Sequence, residues 1–380
     1  VKVLVLKANY FPVCGAGRLL ETMLPHLDAK RVEPVLVEIA TPGQPSSVHF
    51  VSPRTAHLQR HRIEWHGAKH SRSAIAALRD LIRTTGARGV YSHDMRCDLL
   101  CRLAGANRGL GVPWVAHVHG WVGRDGELRL RIFETIDRLC IRSANEVWVG
   151  SQCALRDVRR LLPTRVPLHC FENALDPATI GDAATRATQA RIKLLLPKGA
   201  FAVGMHARLH LPKGHHLLAK AVLRCSHTNV HAVLLGYGDE EANLRKIAAR
   251  PEAQGRIHVV GHQAPADTLA TVAGLDMFVY ASLRESLPLA VLEAMWLARP
   301  IVSSDVGDLS SVLEHGRAGI LVQPHDVAAM ACAIDVLAAD PARRAALASR
   351  ARELAVTRFA PQRLGIAITD AWQRLCGGPA

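Results

Sequence analysis

Short apolar runs recur along the chain. Each is followed by a stretch whose apolar positions return every three or four residues. Val1–Lys7, Val32–Ile39, Gly89–Ser92, Trp114–Val118 and Glu146–Gly150 read as strands, with helical patterns at Ser73–Thr84 and Leu128–Arg142. A loop bearing Gly15 and Gly17 follows the first strand and leads into an amphipathic stretch, Arg18–Leu27. The pattern restarts after the Ala- and Arg-rich segment Thr179–Pro197. New strands are expected at Phe201–Met205, His231–Leu235, Ile257–Val260, Met277–Tyr280, Ile301–Ser303 and Ile320–Leu321. Helices are expected at Gly214–Cys225, Glu240–Ala249, Pro288–Leu297, Val327–Leu337 and Gln362–Leu375.

Apolar strands alternating with helices form parallel sheets covered on both faces. The expected fold is therefore α/β, two Rossmann-like doubly wound domains facing across a cleft. The first domain spans 1–176, a linker 177–200 and the second domain 201–360, with the last helix, in 361–380, packing back on the first. Ligands of such sheets bind beyond the carboxyl ends of the strands.

At 380 residues, 49% hydrophobic and 21% charged, the chain has the composition of a globular protein and not of a disordered or fibrous one. No apolar run is long enough to span a membrane. The chain opens on a strand with no cleavable signal, so the expected location is cytoplasmic, free or peripheral on the inner face of a membrane. Nine scattered cysteines without a Cys-x2-Cys pair read as reduced thiols. The net charge is +14, and residues 1–176 hold 25 basic against 16 acidic side chains. Residues 54–83 carry seven cations (Arg54, Arg60, Arg62, Lys69, Arg72, Arg79, Arg83) and four histidines against Glu64 and Asp80. Such a segment is either a solvated face or a docking surface for an anionic membrane or a lipid-phosphate acceptor. Nucleic acid is not the expected partner, because aromatics are only 4% and do not interleave with the basic residues.

Gly15-x-Gly17 half matches a dinucleotide fingerprint, but Leu20 stands where the third glycine belongs. The simpler reading is close backbone approach to a ligand at a helix start. Glu285 and Glu293 flank a segment in which Ser286 is a candidate cap and Pro288 suits a first helical turn. The amides of Ser286, Leu287, Pro288's neighbours and Leu289 would then face an anion. The two carboxylates can accept hydrogen bonds from sugar hydroxyls, or be a loop acid and a helix-start acid. Arg208 and Lys213, with Gly214 opening a helix, suit a diphosphate, or are two solvated cations. Gly236-x-Gly238 is another close-approach loop, and His119 ends a strand ahead of Gly120. His57-x3-His61 and His206-x3-His210 lack the acid of a zinc-protease motif, and no metal ligation is expected.

Together these residues resemble the family 4 retaining nucleotide-sugar glycosyltransferases of the GT-B fold. The resemblance runs from Gly204 to Arg208 through Lys213-Gly214, Leu235-Gly236, Val260-Gly261-His262 and Ala281-Ser282 to Glu285. It continues through Glu293-Ala294-Met295, Arg299-Pro300, Asp305-Val306-Gly307 and Gly319 to Pro324. The first half resembles the family through Gly15-x-Gly17, His119-Gly120 and Asn173. It implies that Arg208 and Lys213 hold the donor diphosphate, Glu285 the sugar hydroxyls and Glu293 the ribose. It further implies that amides around Leu287 support sugar or phosphate, that His262 lies near the base and that His119 sits by the transferred sugar. Ala174, Leu287 and Trp296 depart from the family pattern. The implied activity is transfer of a hexose from a UDP- or GDP-sugar to an acceptor hydroxyl in glycolipid, polysaccharide or secondary-metabolite glycoside synthesis. The implied mechanism retains the anomeric configuration and needs neither metal nor cofactor. The rival readings are a nucleotide-sugar epimerase of the same architecture and, behind it, a nucleic-acid-binding protein.

Overall fold

The computed structural model describes residues 1–9, 15–46, 52–65, 71–106, 109–121 and 128–377. They form two compact units, Val1–Ala174 with Pro361–Ala380, and Leu175–Ala360.

In the first unit the strands are β1 (Lys2–Ala8), β2 (Glu33–Ala40), β3 (Arg60–Glu64), β4 (Gly89–Ser92), β5 (Trp114–Val118), β6 (Glu146–Val149) and β7 (Leu168–Cys170). They make one parallel sheet in the order β3-β2-β1-β4-β5-β6-β7. The helices are α1 (Gly15–Met23), α2 (Ser71–Thr85), α3 (Met95–Ala104), α4 (Leu128–Cys140) and α5 (Gln152–Arg159). The central strands are apolar on both faces because both faces are covered: Val3–Leu6 and Pro34–Ala40 are buried without a break.

The second unit holds α6 (Ala183–Lys193), β8 (Phe201–His206), α7 (His215–Arg224), β9 (Val230–Leu235), α8 (Glu241–Ala248), β10 (Ile257–Gly261), α9 (Pro265–Ala273), β11 (Met277–Tyr280) and α10 (Leu289–Trp296). It continues with β12 (Ile301–Ser304), α11 (Leu309–Val312), β13 (Ile320–Val322), α12 (Val327–Ala339) and α13 (Pro341–Thr357). Its parallel sheet runs β10-β9-β8-β11-β12-β13. Residues 177–200, read above as a linker, contain α6, which packs on α9 within this unit.

The last helix, α14 (Pro361–Cys376), lies on the first unit. Its Trp372 is almost fully buried, edge-on to Tyr91 at 5.8 Å and to Trp148 at 5.3 Å. Gly89 leaves the space that the Trp372 ring occupies, and Gly365 lets the helix rest on the His26 carbonyl.

Several expectations are corrected. Gly15 and Gly17 stand inside the first turn of α1 and not in a loop ahead of it. Pro288 is the N-cap residue of α10 (φ −76°, ψ 126°), so Ser286 is not its cap and no side chain caps that helix. Part of the basic segment 54–83 is tied into the fold. Arg54 donates to the Glu21 carbonyl, Arg60 to the carbonyls of Ser52 and Thr55, and Arg79 to the Ala104 carbonyl. Arg62, on the edge strand β3, pairs with the buried Glu38 at 3.1 Å. Arg62, Arg72, Arg79 and Arg83 nevertheless remain exposed. Lys69, with His66 and His70, lies outside the described residues.

Candidate functional site

In the second unit the chain leaves β8 and β11, neighbours in the sheet, toward opposite sides, which makes their carboxyl ends a topological switch point. After β8 come Arg208, a 3-10 turn at Leu211–Lys213 and then Gly214, which starts α7. After β11 come Ser282 and Glu285. The two loops are stitched together: the Leu283 amide donates to the Pro212 carbonyl at 2.8 Å, and Ser282 Oγ lies 3.2 Å from the same oxygen. Gly214 has φ +74°, and a side chain there would collide with the Ala281 carbonyl. On the other flank Gly307 (φ +61°) lies against the carbonyls of Glu285 and Ser286, and the Asp308 amide donates to the Ser286 carbonyl at 2.9 Å.

This frame gathers three donors on one oxygen. Lys213 Nζ lies 2.5 Å from Glu285 Oε1, Tyr280 Oη donates to it at 2.7 Å and Ser282 Oγ at 2.9 Å. Burial, reinforced by the Glu285 and Glu293 charges, pushes the Tyr280 phenol well above its usual range, so it remains a donor. Every described bond to Glu285 falls on Oε1. Arg208 is exposed. Lys213, assigned above to a diphosphate, thus already carries a carboxylate partner.

Glu293 differs from what the sequence led us to expect. It is fully buried on α10, with Oε2 2.7 Å from Nε2 of His206, the last residue of β8. It stands beside His206, closed to solvent. Leu287 and Pro288 are buried, Ser286 and Leu289 half-buried, where the loop turns into α10. The loops after β8 and β9 cross at the glycines: Gly236 (φ +139°) lies against the Ala207 carbonyl and Gly238 (φ +155°) against that of Leu209. Beyond them the exposed His262 meets Tyr237 edge to face, 5.1 Å between ring centres.

The first unit has its own switch point, between β1 and β4. Asp94 Oδ2 accepts from Lys7 Nζ at 3.1 Å and from the Ala8 amide at 2.6 Å. Its Oδ1 accepts from the Arg96 and Cys97 amides, both at 3.1 Å, as the N-cap of α3. Burial works against ionisation of Asp94, but Lys7 and these amides outweigh it and hold the carboxyl below its usual range. Beside it three imidazoles stack. His93 and His117 are 4.9 Å apart at 15°, His117 and His119 4.5 Å apart at 27°. Tyr91 Oη and His117 Nδ1 share a 2.6 Å hydrogen bond. Burial, then the neighbouring imidazoles, pushes His93 well below its usual range, and burial does the same to His117. His119 is lowered to about 3 by the protein packed around it and then by the Lys7 ammonium. Its ring is nevertheless exposed, and water on that side argues for a smaller depression with the same sign. All three rings are neutral at pH 7. They turn their faces toward one another and not their lone pairs, and among the described residues no three His, Cys, Asp or Glu side chains gather to hold a metal ion.

Lys7, Tyr91, His93, Asp94, His117 and Tyr280 were not singled out from the sequence, and His206 and Ser282 were named there without a role in the site. Each stands within two residues of a strand's carboxyl end, which was the one signal that would have found them.

The chain matches two family models, Glycosyl transferase 4-like domain over residues 15–174 and Glycosyl transferases group 1 over residues 187–354. It belongs to the GT4-type glycosyltransferases. Among curated members, it is 35% identical over 185 residues to the lipopolysaccharide core biosynthesis glycosyltransferase LpsE of Rhizobium meliloti, covering 49% of this chain and 52% of that one. It is 32% identical over 163 residues to the D-inositol 3-phosphate glycosyltransferase of Pseudarthrobacter chlorophenolicus, covering 41% and 39%. The chain thus spans about half or less of the length of these relatives. Among solved structures, Anabaena Alr3699/HepE in complex with UDP-glucose superposes with a TM-score of 0.82 at 20% identity, over 98% of this chain and 100% of that one. The fold is GT-B. Both family models are glycosyltransferase models, so the epimerase alternative finds no support. No helix among the described residues is long and apolar enough to cross a membrane.

Proposed function

We propose that the chain transfers a hexose from a nucleoside diphosphate sugar to an acceptor hydroxyl, retaining the anomeric configuration. The observation that carries this reading is the switch point of the second unit. There Lys213, Tyr280 and Ser282 hold one oxygen of Glu285. A carboxylate fixed in this way accepts from sugar hydroxyls, and Arg208 beside it supplies a cation for a leaving diphosphate. The exposed Tyr237–His262 pair offers a ring edge and face to a planar base. Uridine is the base we favour, supported by the neighbour whose crystals hold UDP-glucose.

In the reaction the bond from the anomeric carbon to the diphosphate oxygen breaks, and a bond to the acceptor oxygen forms on the same face. The acceptor proton passes to the departing phosphate. Glu293 is fully buried against His206, so Glu285 and Glu293 do not form the open carboxylate pair of a double displacement, which favours this route. The protein's part is positioning and charge: Arg208 and Lys213 meet the developing diphosphate charge as Lys213 is drawn from Glu285. His119, neutral at pH 7, can both donate to and accept from a sugar hydroxyl. These cations take the role that a metal ion plays elsewhere, so turnover is expected to persist in EDTA. Loss in EDTA with rescue by Mg or Mn overturns that assignment.

The test is a thermal-shift comparison of uridine, guanosine and adenosine diphosphates and their sugars, followed by NMR of the product's anomeric proton. A shift confined to one base and a product that keeps the donor's configuration are expected. No shift with any nucleotide, or an inverted product, overturns the reading.

A further inference from the structure

Helix α4 is built inside out. Its inner side carries Glu134, Asp137 and Cys140, each 4% exposed. Its outer side carries Leu128 at 72%, Ile132 at 51%, Ile136 at 36% and Leu139 at 56%, with Phe133 at 46% alongside. At about 100° per residue those four aliphatic side chains fall within a sector of roughly 80°, one continuous stripe along the helix. The orientation is anchored from below. Trp121 Nε1 donates to Asp137 Oδ2 at 2.8 Å, and the Arg138 guanidinium lies 5.0 Å from the centre of the Trp121 ring. The acids are therefore held inward, and turning the helix over would break these contacts.

The other exposed large apolar side chains, such as Leu161, Ile192, Leu195 and Ile366, belong to different elements, as is ordinary for a protein surface. On α4 the charge also has one sign. Both acids of the helix are buried, whereas Arg131 is exposed and Arg138 half-buried along one edge of the stripe, and Arg142 is exposed in the turn that follows the helix. An aliphatic stripe bordered by arginines has the chemistry of an interfacial helix, which lies in the headgroup region with its apolar face immersed roughly 5–10 Å. We propose that the outer face of α4 seats on an anionic bilayer surface, with Leu128, Ile132, Ile136 and Leu139 immersed and the arginines at the lipid phosphates. A second copy of the chain fits the face less well. One helix stripe is far short of the roughly 20–30 residues per side of a stable interface. A bilayer needs no such area, because it surrounds whatever is immersed. The proposed surface is on α4, apart from the basic segment 54–83.

The test is co-sedimentation of the full chain with phosphatidylcholine vesicles, with and without phosphatidylglycerol, at low and high salt. Binding to the anionic vesicles alone, weakened by salt, is expected. Ile132→Ser with Leu139→Ser should lower the partition coefficient by about tenfold or more, since both immersed side chains are lost. Arg131→Ser with Arg142→Ser should lower it severalfold and flatten its salt dependence. Leu195→Ser with Ile366→Ser, equally exposed but elsewhere, should leave it unchanged. Circular dichroism confirms that each variant is folded. Absence of binding to anionic vesicles at low salt overturns the proposal, as does binding that the α4 variants do not change. A concentration-dependent dimer in sedimentation velocity that the α4 serine variants abolish also overturns it, in favour of a second copy. Partition is read without turnover, so failure here leaves the donor-site reading untouched.

Discussion

At the scale of single residues, Glu285 and Glu293 look alike in sequence and differ in place. Glu285 is half-buried at a loop end, with its described bonds on one oxygen; Glu293 is fully buried against His206. Glu285→Gln should therefore leave UDP affinity nearly intact while turnover falls, and Glu293→Gln should weaken UDP more than Glu285→Gln does, because the buried carboxylate that positions His206 at the end of β8 is lost. Calorimetric titration with UDP separates the two, and equal losses would refute the division of roles. A second residue-level expectation concerns pH. Burial and the neighbouring Asp137 hold the Asp98 carboxyl well above its usual range, and burial raises Asp137 too. A raised folded-state pKa contributes stability at low pH that is lost as pH rises through it. His93 and His117 are lowered, so their contribution is complete above about pH 6.5 and is lost as pH falls below it. The two effects oppose each other in one unit. Asp98→Asn removes the first, so the gain in stability from pH 5.5 to pH 8 should be larger in the variant than in the parent. Urea midpoints at the two pH values check this; an unchanged difference would show that the carboxyl pair does not titrate in that window.

At the scale of elements, the glycines that position the donor loops carry the clearest expectations. Gly214→Ala and Gly307→Ala each combine positive φ with a carbonyl in the way of the new methyl group. Each should destabilise the second unit by more than the roughly 1–2 kcal/mol of left-handed strain alone. Gly255→Ala, at φ +71° with nothing within 4 Å, should show only the strain. Urea denaturation of the three variants decides whether close approach adds to conformation. Helix α14 offers a packing test. Trp372→Ala should cost the first unit about 3–5 kcal/mol, since the ring fills a site walled by Tyr91 and Trp148. Most strands were legible because sheets buried on both faces need unbroken apolar runs. β3 and β7 were not. β3 is an edge strand of sequence Arg-His-Arg-Ile-Glu, whose pairing is in its backbone, and β7 has three residues, too few to show a period.

At the scale of the molecule, two units with separate cores should respond separately to a nucleotide. A ligand held only by the second unit stabilises it by about 2.7 kcal/mol at a hundredfold excess over Kd. UDP should therefore raise the unfolding temperature of the second unit, while a transition reported by Trp148 and Trp372 in the first unit moves less. Calorimetry alongside tryptophan fluorescence reads both. Equal displacement of both transitions would show that the units unfold as one.

The sequence by itself determined the two strand-and-helix series, the restart between them and the order of the donor motifs. These are properties of near neighbours: apolar runs, helical periodicity, and glycines that meet a local conformational demand. What the arginines of 54–83 do was decided only by tertiary structure, because their acceptors at Glu21, Glu38 and Ala104 come from other elements. The same holds for the stacked imidazoles. They are drawn from the ends of β4 and β5, which become neighbours only when the sheet forms. It holds most of all for α4. Its sequence shows an amphipathic helix, and amphipathicity is silent about which face is covered. Burial of Glu134 and Asp137 against the rest of the unit settled that, and left the apolar side outward.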